Sequence, residues 1–311
     1  MSRPEIVPFS DEHLDGAAAL LAERHARHRA AEPLLPDVTD FLAQVEADWR
    51  ADDASGAAAL TDGEVVGYLI GRGEENWAGR YLWVRFASHA VRQPGELARD
   101  LYAAAAKRWV DAGWTKQFVF VPPFRDLVEP WFRLSFGLSA AMAARETAPE
   151  PVVDLGLTIR PSTPDDLLDG ARLDRMLRLH LNESPSFSTL EVESEEWYVD
   201  DWRTTWVEDE YTHFVADQGG EIVGHILLYR RPEGDLRVPP NSIDLANALT
   251  EPGIRGSGVG VALTNHVLAW AHEHGYGTMT TDWRMTNLEA SRFWPRRGFR
   301  ETFLRLYRSI P

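Results

Sequence analysis

The sequence predicts an α/β (α+β) protein made of two successive copies of one strand-and-helix pattern. Three observations carry this: a hairpin sequence that occurs twice, a long helix pattern downstream of each hairpin, and near-constant spacing between the copies. Gly63-Glu64-Val65-Val66-Gly67-Tyr68-Leu69-Ile70 and Gly220-Glu221-Ile222-Val223-Gly224-His225-Ile226-Leu227 read almost alike. The offset is 157 between Gly63 and Gly220, 162 between Gly113 and Gly275, and 161 between Gly137 and Gly298. Such regularity over most of a chain points to a tandem duplication.

The elements follow in order. Ile6-Val7-Pro8-Phe9 opens the first copy as a strand, and Ser10-Asp11-Glu12 starts a helix. Ala57–Thr61 and the segment after Asp62-Gly63 form a hairpin, because Asp-Gly supplies the positive φ angles of a tight turn. Tyr81–Ser88 is a strand and Glu96–Ala112 a helix stopped by Gly113. Gln117–Val121 is a strand, a short helix ends near Phe136-Gly137-Leu138, and Ser139–Arg145 closes the copy. The second copy repeats this. Leu157-Thr158-Ile159-Arg160 is its first strand, and Thr163-Pro164-Asp165-Asp166 caps its first helix, with proline at the first helical position and acids in the first turn. Thr212–Ala216, the turn Gly219-Gly220 and the run after it form the hairpin. Ser242–Leu249 is a strand, and Val259–His274 is a helix stopped by Gly275. Thr278–Trp283 is a strand, a short helix ends near Arg297-Gly298-Phe299, and Thr302–Arg308 is the last strand. The expected boundaries are a first domain over 1–147, a linker over 148–155 around Thr147-Ala148-Pro149-Glu150-Pro151, and a second domain over 156–311.

Composition narrows the function classes. The chain has 311 residues with 44% hydrophobic and 26% charged, ordinary values for a globular protein. A net charge of −16 argues against nucleic acid and anionic membranes as partners, since phosphate needs a basic surface. No apolar run reaches transmembrane length, and Met1-Ser2-Arg3-Pro4-Glu5 leads into no signal-peptide core. There is no cysteine, which excludes disulfides, thiolate metal sites and a cysteine nucleophile, and fits a cytoplasmic location. No metal-ligand spacing is present, and no Ser-His-acid motif is evident. The expected partner is a small molecule, bound by a monomer or homodimer.

The chemistry concentrates at Arg255-Gly256-Ser257-Gly258-Val259-Gly260, between a strand and a helix. A glycine-rich turn there leaves backbone N–H groups free at the positive end of the helix dipole, and the glycines let an anion approach them closely. The spacing is neither the Walker pattern nor the Rossmann pattern. A tight strand-to-helix turn needs glycines in any case, so context decides.

Arg255, Gly258 and Gly260 fit the signature Q/R-x-x-G-x-G/A, and Asn287-Leu288-Glu289-Ala290 followed by Gly298-Phe299 fits N-x-x-A…GF. With the element order, these motifs make residues 154–311 resemble the GNAT superfamily of acyl-CoA-dependent N-acetyltransferases, and residues 4–147 more loosely. The resemblance implies two tandem folds, each a mixed, mostly antiparallel central sheet flanked by helices. It implies acetyl-CoA as co-substrate, with its arm pairing along Leu249 and Thr250. The diphosphate would lie on the loop Arg255, Gly256, Ser257, Gly258, Val259 and Gly260, with Asn287 bonding the arm. Transfer would run directly from thioester to a primary amine, without a covalent enzyme intermediate and without a metal.

Direct transfer needs a base to deprotonate the amine. In this family a carboxylate on the fourth strand commonly serves, which puts Asp244 first, Asp282 on the next strand second and Glu251 third. Asp244 has the alternative of an ordinary polar residue. Many relatives carry a tyrosine four residues before Gly-Phe as the acid for the departing thiolate. Here that position is Trp294, whose indole N–H is no ordinary acid. Trp294 either packs on the cofactor arm or is core aromatic. Aligned from Gly113 backward, the first copy has Gln93-Pro94-Gly95-Glu96-Leu97-Ala98 at the loop, with Glu96 in place of the middle glycine. A shift of one residue gives Arg92-x-x-Gly95-x-Leu97 instead. Both versions, and the missing asparagine motif, mark the first copy as degenerate.

Glu191–Glu210 holds nine acids against Arg203, with Trp197, Tyr198, Trp202 and Trp206 interleaved. Acids beside exposed aromatics suit a cationic amine, so Trp197, Tyr198, Asp201 and Trp202 are the acceptor-site candidates. A solvated charge run with a buried tryptophan stripe is the other reading. His225 and His180 have no carboxylate partner evident in the sequence and read as core or surface residues. The expected acceptor is the primary amine of a small, cationic antibiotic or metabolite. The tandem arrangement also occurs in mycothiol synthase, which acetylates a cysteinyl-sugar amine, and a non-catalytic acyl-CoA sensor is the rival from another class.

Overall fold

The computed structural model describes residues 3–76, 79–92, 95–188 and 191–311. The chain divides into two compact units, one of Met1–Met142 with Gly234–Arg237 and Glu301–Pro311, the other of Ala143–Glu233 and Val238–Arg300. The first half of the sequence runs β1 (Glu5–Pro8), α1 (Leu14–Ala31), α2 (Phe41–Trp49), β2 (Ser55–Thr61), β3 (Glu64–Asn76), β4 (Gly79–Val84), β5 (His89–Val91), α3 (Glu96–Asp111), β6 (Lys116–Val121), α4 (Arg125–Phe132) and β7 (Gly137–Glu146). The second runs β8 (Thr158–Pro161), α5 (Leu167–Asn182), α6 (Glu195–Val207), β9 (Tyr211–Gln218), β10 (Glu221–Tyr229), β11 (Ser242–Thr250), α7 (Val259–Glu273), β12 (Thr278–Arg284), α8 (Leu288–Arg296) and β13 (Arg300–Ser309).

The two hairpins form for the reason the turn residues gave. Asp62 and Gly63 have φ of 51° and 83°, Gly219 and Gly220 have 68° and 96°, and the pairs Thr61↔Glu64 and Gln218↔Glu221 flank them. Two positive φ values in a two-residue loop match the right-handed twist of the strands they join. The first unit's sheet has the order β1-β2-β3-β4-β6-β13, with β5 on β3, and β4 and β6 are parallel. The second has β8-β9-β10-β11-β12, then β7, whose Ala143–Glu146 end belongs to this unit. Three pairings among β8 to β11 are antiparallel and β11–β12 is parallel, so the sheet is mixed and mostly antiparallel, as expected.

The strand over Thr302–Arg308, expected to close the second domain, instead pairs with β6 in the first unit, from Leu304↔Val121 to Ser309↔Lys116. Phe303 on it is fully buried in the first unit's core and meets His28 and Phe86 edge-on. That burial and the ladder to β6 hold the strand there. The expected linker 148–155 follows β7 and lies in the second unit.

The second unit packs α6 on α5 through one close approach. A Cβ on Gly170 would stand 2.0 Å from the Trp202 ring, so only glycine lets the buried indole lie on α5. Trp202, Tyr198, Leu173, Val215, Ile222 and Leu249 form this core. Among the described residues no helix is long and apolar enough to cross a membrane.

Candidate active site

The site begins where two parallel strands part. Pairing of β11 with β12 runs from Ser242↔Thr278 to Leu245↔Thr281, while β11 continues to Thr250 bonded to β10. The register against β10 shifts between Leu227 and Leu228, which leaves Ala246 as a bulge residue. A bulge bends its strand and increases the local twist. Here it carries Ala248, Leu249 and Thr250 away from β12 and opens a cleft along the strand.

The glycine-rich loop stands at the end of that cleft. Gly256 and Gly258 have φ of 81° and 100°, conformations that L side chains rarely adopt, and Gly258 is the N-cap of α7. A Cβ on Gly256 would meet nothing within 4 Å, and one on Gly258 would meet only Leu155 of the linker, at 3.4 Å. The turn therefore offers first-turn amides that have no helical acceptor, next to open space. A cavity of about 430 Å³ lies against it, bounded by Leu249, Thr250, Arg255, Gly256, Gly258, Val259 and Gly260. Asn287 and Trp294 bound the opposite side. Ser257 is not among the lining residues. Asn287 caps α8, its Oδ1 accepting from the Glu289 and Ala290 amides at 3.2 and 3.1 Å. Arg255 pairs with Glu289 at 3.0 Å and lies 3.4 Å from His180.

A second cavity, of about 310 Å³, shares Leu177, Ala248, Asn287, Ala290 and Trp294 with the first. Asp174, Asp201 and Asp282 line it, with Arg178, Arg284, Trp197 and Tyr198. Trp197 is 44% exposed, while Tyr198 is 4% exposed and its Oη is buried with no hydrogen-bond partner. Trp202 lies beneath the cavity instead of in its wall, donating its indole N–H to Asp174. Loss of hydration and the charge of Asp174 push the Asp201 carboxyl up from its ordinary value. Trp294 is buried between the cavities, edge-on to Phe293 and Phe299.

The three carboxylates considered for the base are dispersed. Asp244 is 4% exposed, receives Arg231 at 2.7 Å and the Thr280 hydroxyl at 2.6 Å, and lines neither cavity. Arg231 occupies its Oδ2 and the Thr280 hydroxyl its Oδ1, so both oxygens are engaged. Glu251 is ion-paired to Arg172 on α5. Asp282 alone of the three borders the second cavity.

The sequence reading missed a carboxylate for each histidine. His180 Nε2 stands 3.8 Å from Glu289, and His225 Nδ1 stands 3.5 Å from Asp174 Oδ1. His225 is fully buried on β10, yet it borders the cavity at the loop. Its Nε2 is 3.2 Å from His213 Nδ1, and His213 Nε2 is 3.1 Å from the Thr205 hydroxyl. Burial would raise the Asp174 carboxyl, but His225 and the Trp202 indole outweigh it and hold it below its usual value. Burial pushes His213 down to about 3, with His225 adding to the effect. The residues lie 51 apart in sequence, on a helix and a strand, so no local pattern signals them. Only the helix face shared by Asp174 and Gly170 (i, i+4) hints that Asp174 points inward.

The counterpart in the first unit is closed. Gly95, with φ of 106°, is the N-cap of α3, so Gly95 and not Glu96 corresponds to Gly258, and the alignment shifted by one residue is the right one. Gln93 and Pro94 of that stretch lie outside the described residues. The hollow below this turn has only about 20 Å³. Arg24 of α1 is buried and donates to the Phe86 and His89 carbonyls, and His89 Nε2 reaches the Phe120 carbonyl of β6 at 2.8 Å. Two polar side chains thus fill the gap between the parting strands.

Diverging strands, a bulge and a glycine-rich turn under a helix form a cleft that ends at free helix amides, a place suited to an anionic group. Residues 174–299 match the model of the acetyltransferase (GNAT) family. No curated protein sequence matches the chain. A GCN5-related N-acetyltransferase from Sphaerobacter thermophilus is similar in fold, with a TM-score of 0.61 at 15% identity over 99% of this chain and 96% of that one. A GCN5-related glucosamine N-acetyltransferase region of a fungal multi-domain β-N-acetylglucosaminidase gives 0.59 at 13% identity, covering 99% of this chain and 38% of that one. A tandem GNAT protein from the clavulanic acid biosynthesis pathway gives 0.49 at 15% identity over 98% of both chains.

Proposed function

We propose that the second unit transfers the acetyl group of acetyl-CoA directly to a primary amine of a small molecule that is cationic at the reacting nitrogen. The observation that carries this is the pair of adjoining cavities. One runs along β11 to the glycine-rich turn and suits a pantetheine arm and diphosphate. The other is walled by three carboxylates and Trp197, and suits an ammonium group. They share Ala248 and Trp294, so thioester and amine would meet over the β11 bulge.

In this reading the free amides of Gly256, Gly258 and Gly260 and the dipole of α7 hold the diphosphate. Leu249 and Thr250 offer the strand edge to the arm, and the Asn287 amide nitrogen donates to it. Asp201 and Asp282 attract the ammonium, while Arg178 and Arg284 in the same wall would receive a polar or anionic substituent. The cavity chemistry favours an antibiotic-like or metabolite amine over a peptide, because the second cavity, at about 310 Å³, is at the small end for ligand pockets. The first unit, its gap filled by Arg24 and His89, serves as structural partner.

The test is thiol release from acetyl-CoA by the full chain with a panel of mono- and polyamines and amino sugars. Release with cationic amines is expected, with Asp282→Asn raising KM more than it lowers kcat. Tight acetyl-CoA binding without release for any amine would overturn the reading.

A further inference from the structure

We propose that Asp174 and His225 together take the proton from the acceptor amine, and that His213 positions His225 for it; this rests on the acyl-transfer reading above. Asp174 borders the acceptor cavity and His225 borders the cofactor cavity, so the pair bridges the wall across which the amine must attack. At 3.5 Å the His225 Nδ1 to Asp174 Oδ1 contact is longer than a good hydrogen bond, and Nδ1 is buried without another partner. A buried ring nitrogen left in this state is the place where a transferred proton would be accommodated, beside a carboxylate that stabilises the imidazolium. Asp174 is itself fixed by the Trp202 indole and by the Asn247 amide at 3.4 Å.

The facing groups agree with the assignment. β9 contributes His213, α6 contributes Asp201, and α5 contributes Arg178 beside Asp174. β11 presents the Asn247 amide, and α7 lays Val259 and Leu263 against β10 at Gly224. In the first unit the hairpin offset puts Tyr68 in the place of His225. Aligning the starts of α1 and α5, Leu14 with Leu167, puts Leu21 in the place of Asp174. The pair is therefore present in the unit with the open cleft and replaced in the unit with the closed one.

The step balances as follows. The ammonium nitrogen gives one proton to the pair, where it rests on His225. The freed lone pair forms the C–N bond at the thioester carbonyl. The C–S bond breaks with its electrons on sulfur, and the remaining excess proton on nitrogen passes to that thiolate, giving amide and free thiol. The proton on His225 leaves through His213 and the Thr205 hydroxyl of α6 to solvent.

The experiment measures thiol release by the full chain between pH 6 and 9.5 for wild type, Asp174→Asn, His225→Gln and His213→Gln, with acetyl-CoA affinity measured by calorimetry as a check of folding. Asp174→Asn and His225→Gln should bind acetyl-CoA as wild type does and lose about 100-fold or more in kcat. Their residual rate should climb about tenfold per pH unit toward the pKa of the free amine, because only the neutral nitrogen then reacts. His213→Gln should lose less and displace the acid limb of the profile. Wild-type rates and profiles in Asp174→Asn and His225→Gln would overturn the proposal; if Asp174→Asn does not fold, His225→Gln decides it by the same measurements. A wild type that binds acetyl-CoA and acetylates no amine overturns the acyl-transfer reading, and this one with it.

Discussion

The two units solve the same geometric problem in opposite ways. In each, a strand diverges from its parallel neighbour beneath a helix that begins at a positive-φ glycine, Gly95 or Gly258. In the second unit the helix behind the gap presents Leu177, and the gap stays open at about 430 Å³. At the aligned position the first unit presents Arg24, whose guanidinium takes the Phe86 and His89 carbonyls, and about 20 Å³ remains. Burial lowers Arg24 to about 10, which still leaves it charged at neutral pH. The exposed peptide groups of a parted strand need partners. An arginine of the chain supplies them permanently; in the other unit they stay available for a ligand. Open cleft and solid core are thus one backbone plan with different side chains.

The comparison breaks most sharply at Gly258. Gly258→Glu adds a carboxylate and a strained φ where an anion is expected, and like charges at that distance cost several kcal/mol, so acetyl-CoA affinity should fall by on the order of 100-fold or more. Calorimetry should show one equivalent per chain for the wild type, and none for the variant at concentrations that saturate the wild type. Two tight equivalents would mean that the first unit is not closed.

Acid comes next. Burial lowers His28 and His89 in the first unit, and His213 in the second, each to about 3. The unfolded chain takes up these protons below about pH 6.5 while the folded chain refuses them. Their stability contribution is thus complete above that pH and declines as pH falls toward 3, by up to about 1.4 kcal/mol per unit for each histidine. Thermal melting at pH 7, 5.5 and 4.5 should show the decline, and amide exchange should show α1 and β5 of the first unit opening before β9. His89→Gln, which keeps a hydrogen-bonding group that cannot charge, should flatten the slope; an unchanged slope would remove His89 from the account.

The smallest expected effect is at Trp294. Trp294→Tyr restores a phenol between the cavities and should raise kcat by about 10-fold at neutral pH, leaving acetyl-CoA affinity little changed. Steady-state kinetics in amine and acetyl-CoA check it. No gain would mean that the thiolate already receives the nitrogen's proton fast enough without a phenol.

Most of the fold was legible because its signals are local. Both hairpin turns, the helix stops at Gly113 and Gly275 and the loop at Arg255–Gly260 are matters of φ angles and caps, which the nearest few residues decide. The candidate cofactor wall was legible for the same reason, apart from Ser257. The base was not. The family resemblance put Asp244 on β11 first, but Arg231 and Thr280 engage its two oxygens and it lines neither cavity.

By itself, then, the sequence determined the glycine loop, the two hairpins and the helix stops, since turn chemistry and periodicity act within a few residues. Tertiary structure alone decided which unit receives β13, that Arg24 fills the first unit's gap, and that Asp174 meets His225. Those outcomes depend on side chains tens to hundreds of residues apart competing for the same buried space, and no local pattern records which one wins.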